Sequence, residues 1–108
     1  MRTREIYLLE DALGDLEQGR AFYDRQGMGV GEYFIECVLS DIGSLRLYAG
    51  IHRRMHGLFR KLCRRFPFAI YYEMANDDVQ VVAVLDMRRE PTWIKKNLSK
   101  RAGNQRKR

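Results

Sequence analysis

Residues 68–86, FAIYYEMANDDVQVVAVLD, decide the fold. Phe68, Ile70, Tyr72 and Met74 alternate with Ala69, Tyr71 and Glu73, the period of two expected where successive side chains point to opposite faces of a strand. Asn76-Asp77-Asp78 supplies turn chemistry, because short polar side chains hydrogen-bond to their own turn and tolerate left-handed backbone. Residues 79–85 are apolar at every position except Gln80, the pattern of a strand buried on both faces in the middle of a sheet. Together these runs predict a β-hairpin at the heart of a sheet.

Working outward, Leu58, Arg60, Leu62 and Arg64 alternate with Phe59, Lys61, Cys63 and Arg65. That reads as an exposed or edge strand carrying cations on both sides, separated from the hairpin by Pro67. Further upstream the period is helical. Ala12, Leu16, Gly19 and Tyr23 share one face of a predicted helix over residues 12–25, with Asp11 as its N-cap. Three glycines within residues 27–31 make a turn, and Phe34, Val38, Ile42, Leu45 and Ala49 form the stripe of a second helix that stops at Gly50. Residues 4–10 read as a short first strand. Pro91 marks the first turn of a short C-terminal helix that docks through Trp93, Ile94 and Leu98.

The predicted fold class is α+β: an N-terminal strand, a two-helix hairpin packed on an antiparallel sheet, and a short C-terminal helix, β-α-α-β-β-β-α, with the helices on one face of the sheet. Residues 1–98 form a single domain. Residues 99–108 form a basic tail with almost nothing to bury, expected to be disordered alone, so truncation at Leu98 is expected to leave folding intact.

With 108 residues, 45% of them hydrophobic and 31% charged, the chain suffices for one core without a metal or disulfide framework. Two cysteines, Cys37 and Cys63, are too few for a disulfide scaffold, and no apolar run is long enough to span a bilayer or serve as a signal peptide. A cytoplasmic protein with reduced thiols is expected. The net charge of +6 is unevenly placed. Residues 1–50 hold five Lys/Arg against nine Asp/Glu, residues 51–66 six against none, residues 67–94 two against five, and residues 95–108 seven against none. The basicity therefore sits in two blocks on a body close to neutral, a distribution that attracts polyanions or an acidic protein partner.

Four segments carry a resemblance: residues 12–16 (ALGDL) followed by Phe22-Tyr23, residues 50–52 (GIH), residues 66–72 (FPFAIYY) and residues 83–93 (AVLDMRREPTW). In that order, over about residues 6–98, the chain resembles the RelE/ParE superfamily of type II toxins in the branch of plasmid stabilisation proteins, ParE-like more than RelE-like. The resemblance implies a small toxin neutralised by a cognate antitoxin. RelE-like members cleave messenger RNA in the ribosomal decoding site, using strand lysines and arginines with an acid/base residue near the C-terminus. ParE-like members poison DNA gyrase. Ala69 stands where RelE-like nucleases carry a strand arginine, and the segment after Arg88-Arg89 has Trp93 with no tyrosine or histidine.

Cleavage of RNA through its own 2′-hydroxyl needs a proton acceptor, a proton donor and cations facing the phosphorane. Arg60, Lys61, Arg64, Arg65, Arg88 and Arg89 supply cations and are the candidate target- or antitoxin-binding residues; Arg64, Arg88 and Arg89 are the candidates for a catalytic role. Proton-transfer groups are fewer. His52 and His56 are four apart, but Arg53 and Arg54 between them repel a metal cation, so no metal or other cofactor is expected and no small-molecule substrate is implied. Neighbouring guanidinium groups would activate Cys63 if it were exposed; a packed thiol would be inert. The expectation is a non-enzymatic ParE-like toxin with an antitoxin and gyrase as partners. The alternatives are a ribosome-dependent messenger RNA endonuclease, and a non-toxic member that only binds an antitoxin.

Overall fold

The computed structural model describes residues 4–106, with side-chain surroundings for residues 4–101. The elements are β1 (Ile6–Leu8), α1 (Glu10–Asp24), α2 (Val30–Gly43), α3 (Leu45–Tyr48), β2 (Arg53–Met55), β3 (Leu58–Leu62), β4 (Phe68–Ala75), β5 (Asp78–Asp86) and α4 (Pro91–Arg106). The sheet order is β1-β5-β4-β3-β2, antiparallel throughout except that β1 runs parallel to β5. The α+β class and the helix hairpin on a sheet are as the sequence predicts.

The β4–β5 hairpin turns at Asn76 and Asp77, both left-handed with φ of 53° and 73°, and puts Ala75 opposite Asp78. Pairing passes from Tyr71 opposite Ala83 to Tyr72 opposite Val81, leaving Val82 as an extra residue without a β4 partner. This bulge resets the alternation of β5. Val79, Val81 and Val84 pack under the helix hairpin, whereas Val82, Ala83 and Leu85 join the core on the other face.

The predicted helix stripes are the buried ones. Ala12, Leu16, Gly19 and Tyr23 of α1 are buried, as are Phe34, Val38 and Ile42 of α2 with Leu45 and Ala49 beyond it. The helices approach closely because Gly19 has no side chain: a Cβ there would stand 2.5 Å from the Phe34 ring. The glycine turn is tied to α1, whose Asp24 carboxylate accepts the Gly31 N–H at 3.0 Å. α1 begins one residue before Asp11, with Leu9 at its N-cap and no side-chain cap, so Asp11 lies inside the first turn and acts there through its charge. The second helix breaks at Gly43-Ser44, where the Ser44 hydroxyl donates to the Asp41 carbonyl at 2.7 Å, before α3 continues to Tyr48.

Three expectations are corrected. β3 is an interior strand, because β2 pairs along its outer side through a turn with His56 and Gly57 at φ of 56° and 81°; β2 is the edge. The helices do not share one face: Ile94 and Leu98 of α4 pack with Leu58, Ala69, Tyr71, Val82, Ala83 and Leu85 on the face opposite α1 and α2. Residues 99–106 continue α4 in place of a disordered tail; the last two residues of the predicted tail, 107 and 108, lie outside the described residues.

The helix extends because Arg101 has a partner. β1 pairs with β5 only as far as Val81, so the β5 edge beyond it has no strand alongside. There the Val84 N–H donates to Asp15 Oδ2 at 2.9 Å, and Arg101 donates to the Val82 carbonyl at 3.2 Å. The Arg101 guanidinium also grips both Asp15 carboxylate oxygens, at 2.6 and 2.8 Å. One ion pair thus satisfies an open strand edge while fastening α4 to α1.

Candidate functional site

The loop of residues 63–67 between β3 and β4 and the segment after β5 meet at one end of the sheet, because Phe68 pairs with Asp86 and the Met87 N–H donates to the Pro67 carbonyl at 2.8 Å. The loop is held from two sides. The Arg64 N–H donates to the Asp41 carboxylate on α2 at 3.1 Å, and the Phe66 ring packs against Tyr23 and Phe34 at 4.8 and 5.1 Å between centroids. Arg64 and Arg65 extend outward and are exposed. Aromatic packing under a short tethered loop fixes where these two cations stand.

On the other side of this rim, Arg88 is clamped by Asp86. The carboxylate accepts the Arg88 backbone N–H at 2.8 Å and its guanidinium at 3.0 and 2.7 Å. A further guanidinium contact reaches the Tyr23 hydroxyl at 3.4 Å, and the group lies 6.0 Å from the Phe22 ring. Arg89 lies over the Trp93 ring at 3.7 Å to its centroid, a close cation–π stack on the first turn of α4.

The hydrogen bonds from Arg88 lower the Asp86 pKa below its ordinary 3.8, outweighing burial, which raises it. Because the folded value is depressed, the stability this carboxylate contributes is present above the ordinary carboxylate range and is lost as pH falls through the folded value. Arg88 is half exposed, so solvent screening keeps the contribution small. Arg88→Ala is expected to move the Asp86 midpoint upward to about its ordinary value, read by carboxyl-carbon NMR titration. An unmoved midpoint would show that other groups hold it down.

Of the six candidate residues, the fold brings Arg64, Arg65, Arg88 and Arg89 to one rim. It does not bring Arg60 and Lys61 with them. These are neighbours on β3 and so leave opposite faces: Arg60 lies opposite Tyr71 on the α4 side, Lys61 opposite Ile70 on the side of the helix hairpin.

Lys61 faces a second small constellation. The buried Tyr72 hydroxyl accepts the Gly50 N–H at 2.9 Å and lies 2.5 Å from His52 Nδ1. The phenol oxygen both donates and accepts, so it can hold either tautomer of the ring at Nδ1. Burial foremost, then the Lys61 charge, lower the His52 pKa, which favours the neutral ring. Cys63, between Lys61 and the rim, is a packed thiol: burial foremost, then Asp41, push its pKa up to about 12. Among the described residues, no three His, Cys, Asp or Glu side chains gather as a metal-ligand set, and no helix is long and apolar enough to cross a membrane.

Sequence reasoning missed the residues that organise the rim. Asp86 had a local signal, an acid two positions before Arg88. Asp41 and the Tyr23 hydroxyl had none, since each reaches its arginine only after α1, α2 and the sheet have packed.

No protein-family model matches the chain, and no curated protein matches it. Among solved structures, the chain is similar to one from the chromosomal ParDE TA system of P. aeruginosa, with a TM-score of 0.66 at 16% identity, covering 76% of this chain and 94% of that one. At this identity the likeness is one of fold.

Proposed function

We propose that this protein is the toxin of a type II toxin–antitoxin module, of the ParE-like kind, acting in the cytoplasm on DNA gyrase and held inactive by a cognate antitoxin. The observation that carries this reading is the shared fold with a solved ParDE chain across nearly all of that chain's length. The cationic rim of Arg64, Arg65, Arg88 and Arg89 supports it, since it offers binding chemistry on rigid supports. Arg60 and Lys61 stand apart from that rim, on opposite faces of β3, so each is a separate candidate contact for a target or antitoxin.

Expression of the chain alone is expected to arrest growth, to induce a DNA-damage response and, with purified protein, to alter gyrase supercoiling while translated messages stay intact. Arg88→Ala with Arg89→Ala is expected to reduce the inhibition of supercoiling about tenfold or more, the usual scale when two central interfacial arginines are truncated. Undiminished toxicity in the pair would place the functional surface elsewhere. A harmless wild-type product would point to a member that only binds an antitoxin.

One observation favours the messenger RNA endonuclease as a second reading. His52 is held by Tyr72 and its pKa is lowered by burial and Lys61; with the ring proton on Nδ1, donating to the Tyr72 hydroxyl, Nε2 is the free acceptor a general base requires, beside a cation that can face a phosphate. Messages cut within codons, with supercoiling unaffected and cutting lost in His52→Ala, would establish that reading over the first.

A further inference from the structure

The corner between α3 and β2 carries a surface outside the rim. Leu47 and Ile51 are 73% and 74% exposed and Tyr48 is 54% exposed, within five consecutive residues. Exposed aliphatic side chains on a mobile loop would carry little meaning, but this corner is anchored. The buried Tyr72 hydroxyl receives the Gly50 N–H and contacts His52, Gly50 adopts φ of 97°, and the Ile51 N–H donates to the Tyr48 carbonyl at 3.3 Å. The apolar patch is therefore presented in one shape before any partner arrives, which lowers the entropy lost on binding.

Its surroundings are cationic. Arg46 is exposed next to it, Arg54 is exposed on the Phe59 face of β2 with its guanidinium 4.7 Å from that ring and donating to the Gly57 carbonyl at 2.6 Å, and Arg4 donates to the Arg46 carbonyl at 3.1 Å. No acidic residue occurs between Asp41 and Glu73 in the chain. Two copies apposed through this corner would set arginines against arginines, so the charge selects against a second copy. Nucleic acid meets the charge but leaves Leu47 and Ile51 unmatched, because backbone phosphates and stacked bases use cations and aromatic rings.

We propose that this corner is the docking surface for an acidic, amphipathic segment of a partner protein, leucine-like side chains covering Leu47, Tyr48 and Ile51 and carboxylates meeting Arg46 and Arg54. The proposal rests on the toxin reading for the identity of that partner as the antitoxin, but the recognition chemistry stands on the surface itself. Apolar anchors supply the affinity and the arginine border supplies orientation and rate.

The test uses the full chain, isotopically labelled, and a synthetic amphipathic helical peptide with leucines at i, i+3, i+4 and i+7 and glutamates elsewhere. Chemical-shift changes are expected to centre on residues 46–54 and to weaken with salt. Leu47→Ser with Ile51→Ser is expected to weaken binding about tenfold or more, since each removes an apolar anchor of more than about 1 kcal/mol. A control away from the corner, Lys95→Ala with Lys96→Ala on α4, which removes two cations, is expected to change it less than about twofold. Equal binding of a lysine-for-glutamate peptide, tighter occupation of the same residues by single-stranded oligo-uridylate, or self-association abolished by the Leu47/Ile51 pair would each overturn the proposal. Growth arrest by the free chain is scored separately. Its absence with peptide binding intact fails the toxin reading alone, whereas its presence with no binding at the corner fails this inference alone.

Discussion

Arg101→Ala is expected to destabilise the protein by about 3 kcal/mol, the lower end of what removing one partner of a buried ion pair costs. Domains of this size are stable by only ~5–15 kcal/mol, so the loss should appear as a fall in melting temperature of roughly 15 °C. The reasons are local. Arg101 and Asp15 side chains are only 12% and 9% exposed, so neither charge returns to water when its partner is cut away. Burial works against the guanidinium charge, but the Asp15 hydrogen bonds and charge outweigh it, and the net effect is to raise the Arg101 pKa. Val82 loses a carbonyl partner as well, and Asp15→Ala in turn strands the Val84 N–H.

Chain cut after Leu98 is expected to lose a similar amount, although the removed segment buries little apolar area. Urea unfolding of Asp15→Ala, Arg101→Ala and the double variant measures the coupling. The double variant should be less destabilised than the two single losses added together, because an absent pair leaves no lone buried charge. Additive losses, or an Arg101→Ala variant within about 0.5 kcal/mol of wild type, would mean that this contact is a surface pair of the ordinary weak kind.

Phe34→Ala is expected to cost about 4 kcal/mol, within the range for emptying a large aromatic site in a core. Phe34 is fully buried and its ring meets Tyr23, Phe66 and Phe68 at 5.1, 5.1 and 4.9 Å between centroids. The same ring stacks the floor under the loop that carries Arg64 and Arg65, so the variant should also loosen the rim, seen as faster amide exchange over residues 63–67. Gly19→Ala is the informative companion. In an exposed helix that change gains about 0.5–1 kcal/mol by reducing backbone freedom in the unfolded chain. Here the new methyl would stand 2.5 Å from the Phe34 ring, and a net loss of about 1–2 kcal/mol is expected. Adding Phe34→Leu should return part of that loss by opening space. A stabilised Gly19→Ala variant would show that the helices separate without cost.

How much of this was legible depends on the range of the interaction involved. The stripes of α1 and α2 and the β4–β5 hairpin are periodic signals within a few residues, and the core contains the same side chains that the periods pick out. β2 left no such signal: Arg53 and Arg54 have no alternation, and the strand exists because the His56-Gly57 turn folds it onto β3. The separation of Arg60 from Lys61 was readable, since adjacent residues on any strand leave opposite faces. Gathering Arg64, Arg65, Arg88 and Arg89 depended on how the β4–β5 register and the Pro67–Met87 hydrogen bond close the end of the sheet.

Local pattern by itself determined which segments coil, which extend, which side of each helix is apolar and where the cations lie along the chain. Packing alone decided that β1 runs parallel beside β5, that α4 takes the face left open by the helix hairpin, and that Asp15 and Arg101 meet across 86 positions of sequence. The physical reason is that a backbone period is imposed by near neighbours, whereas an unpaired strand edge and a buried charge acquire partners only when distant segments compete for the same space.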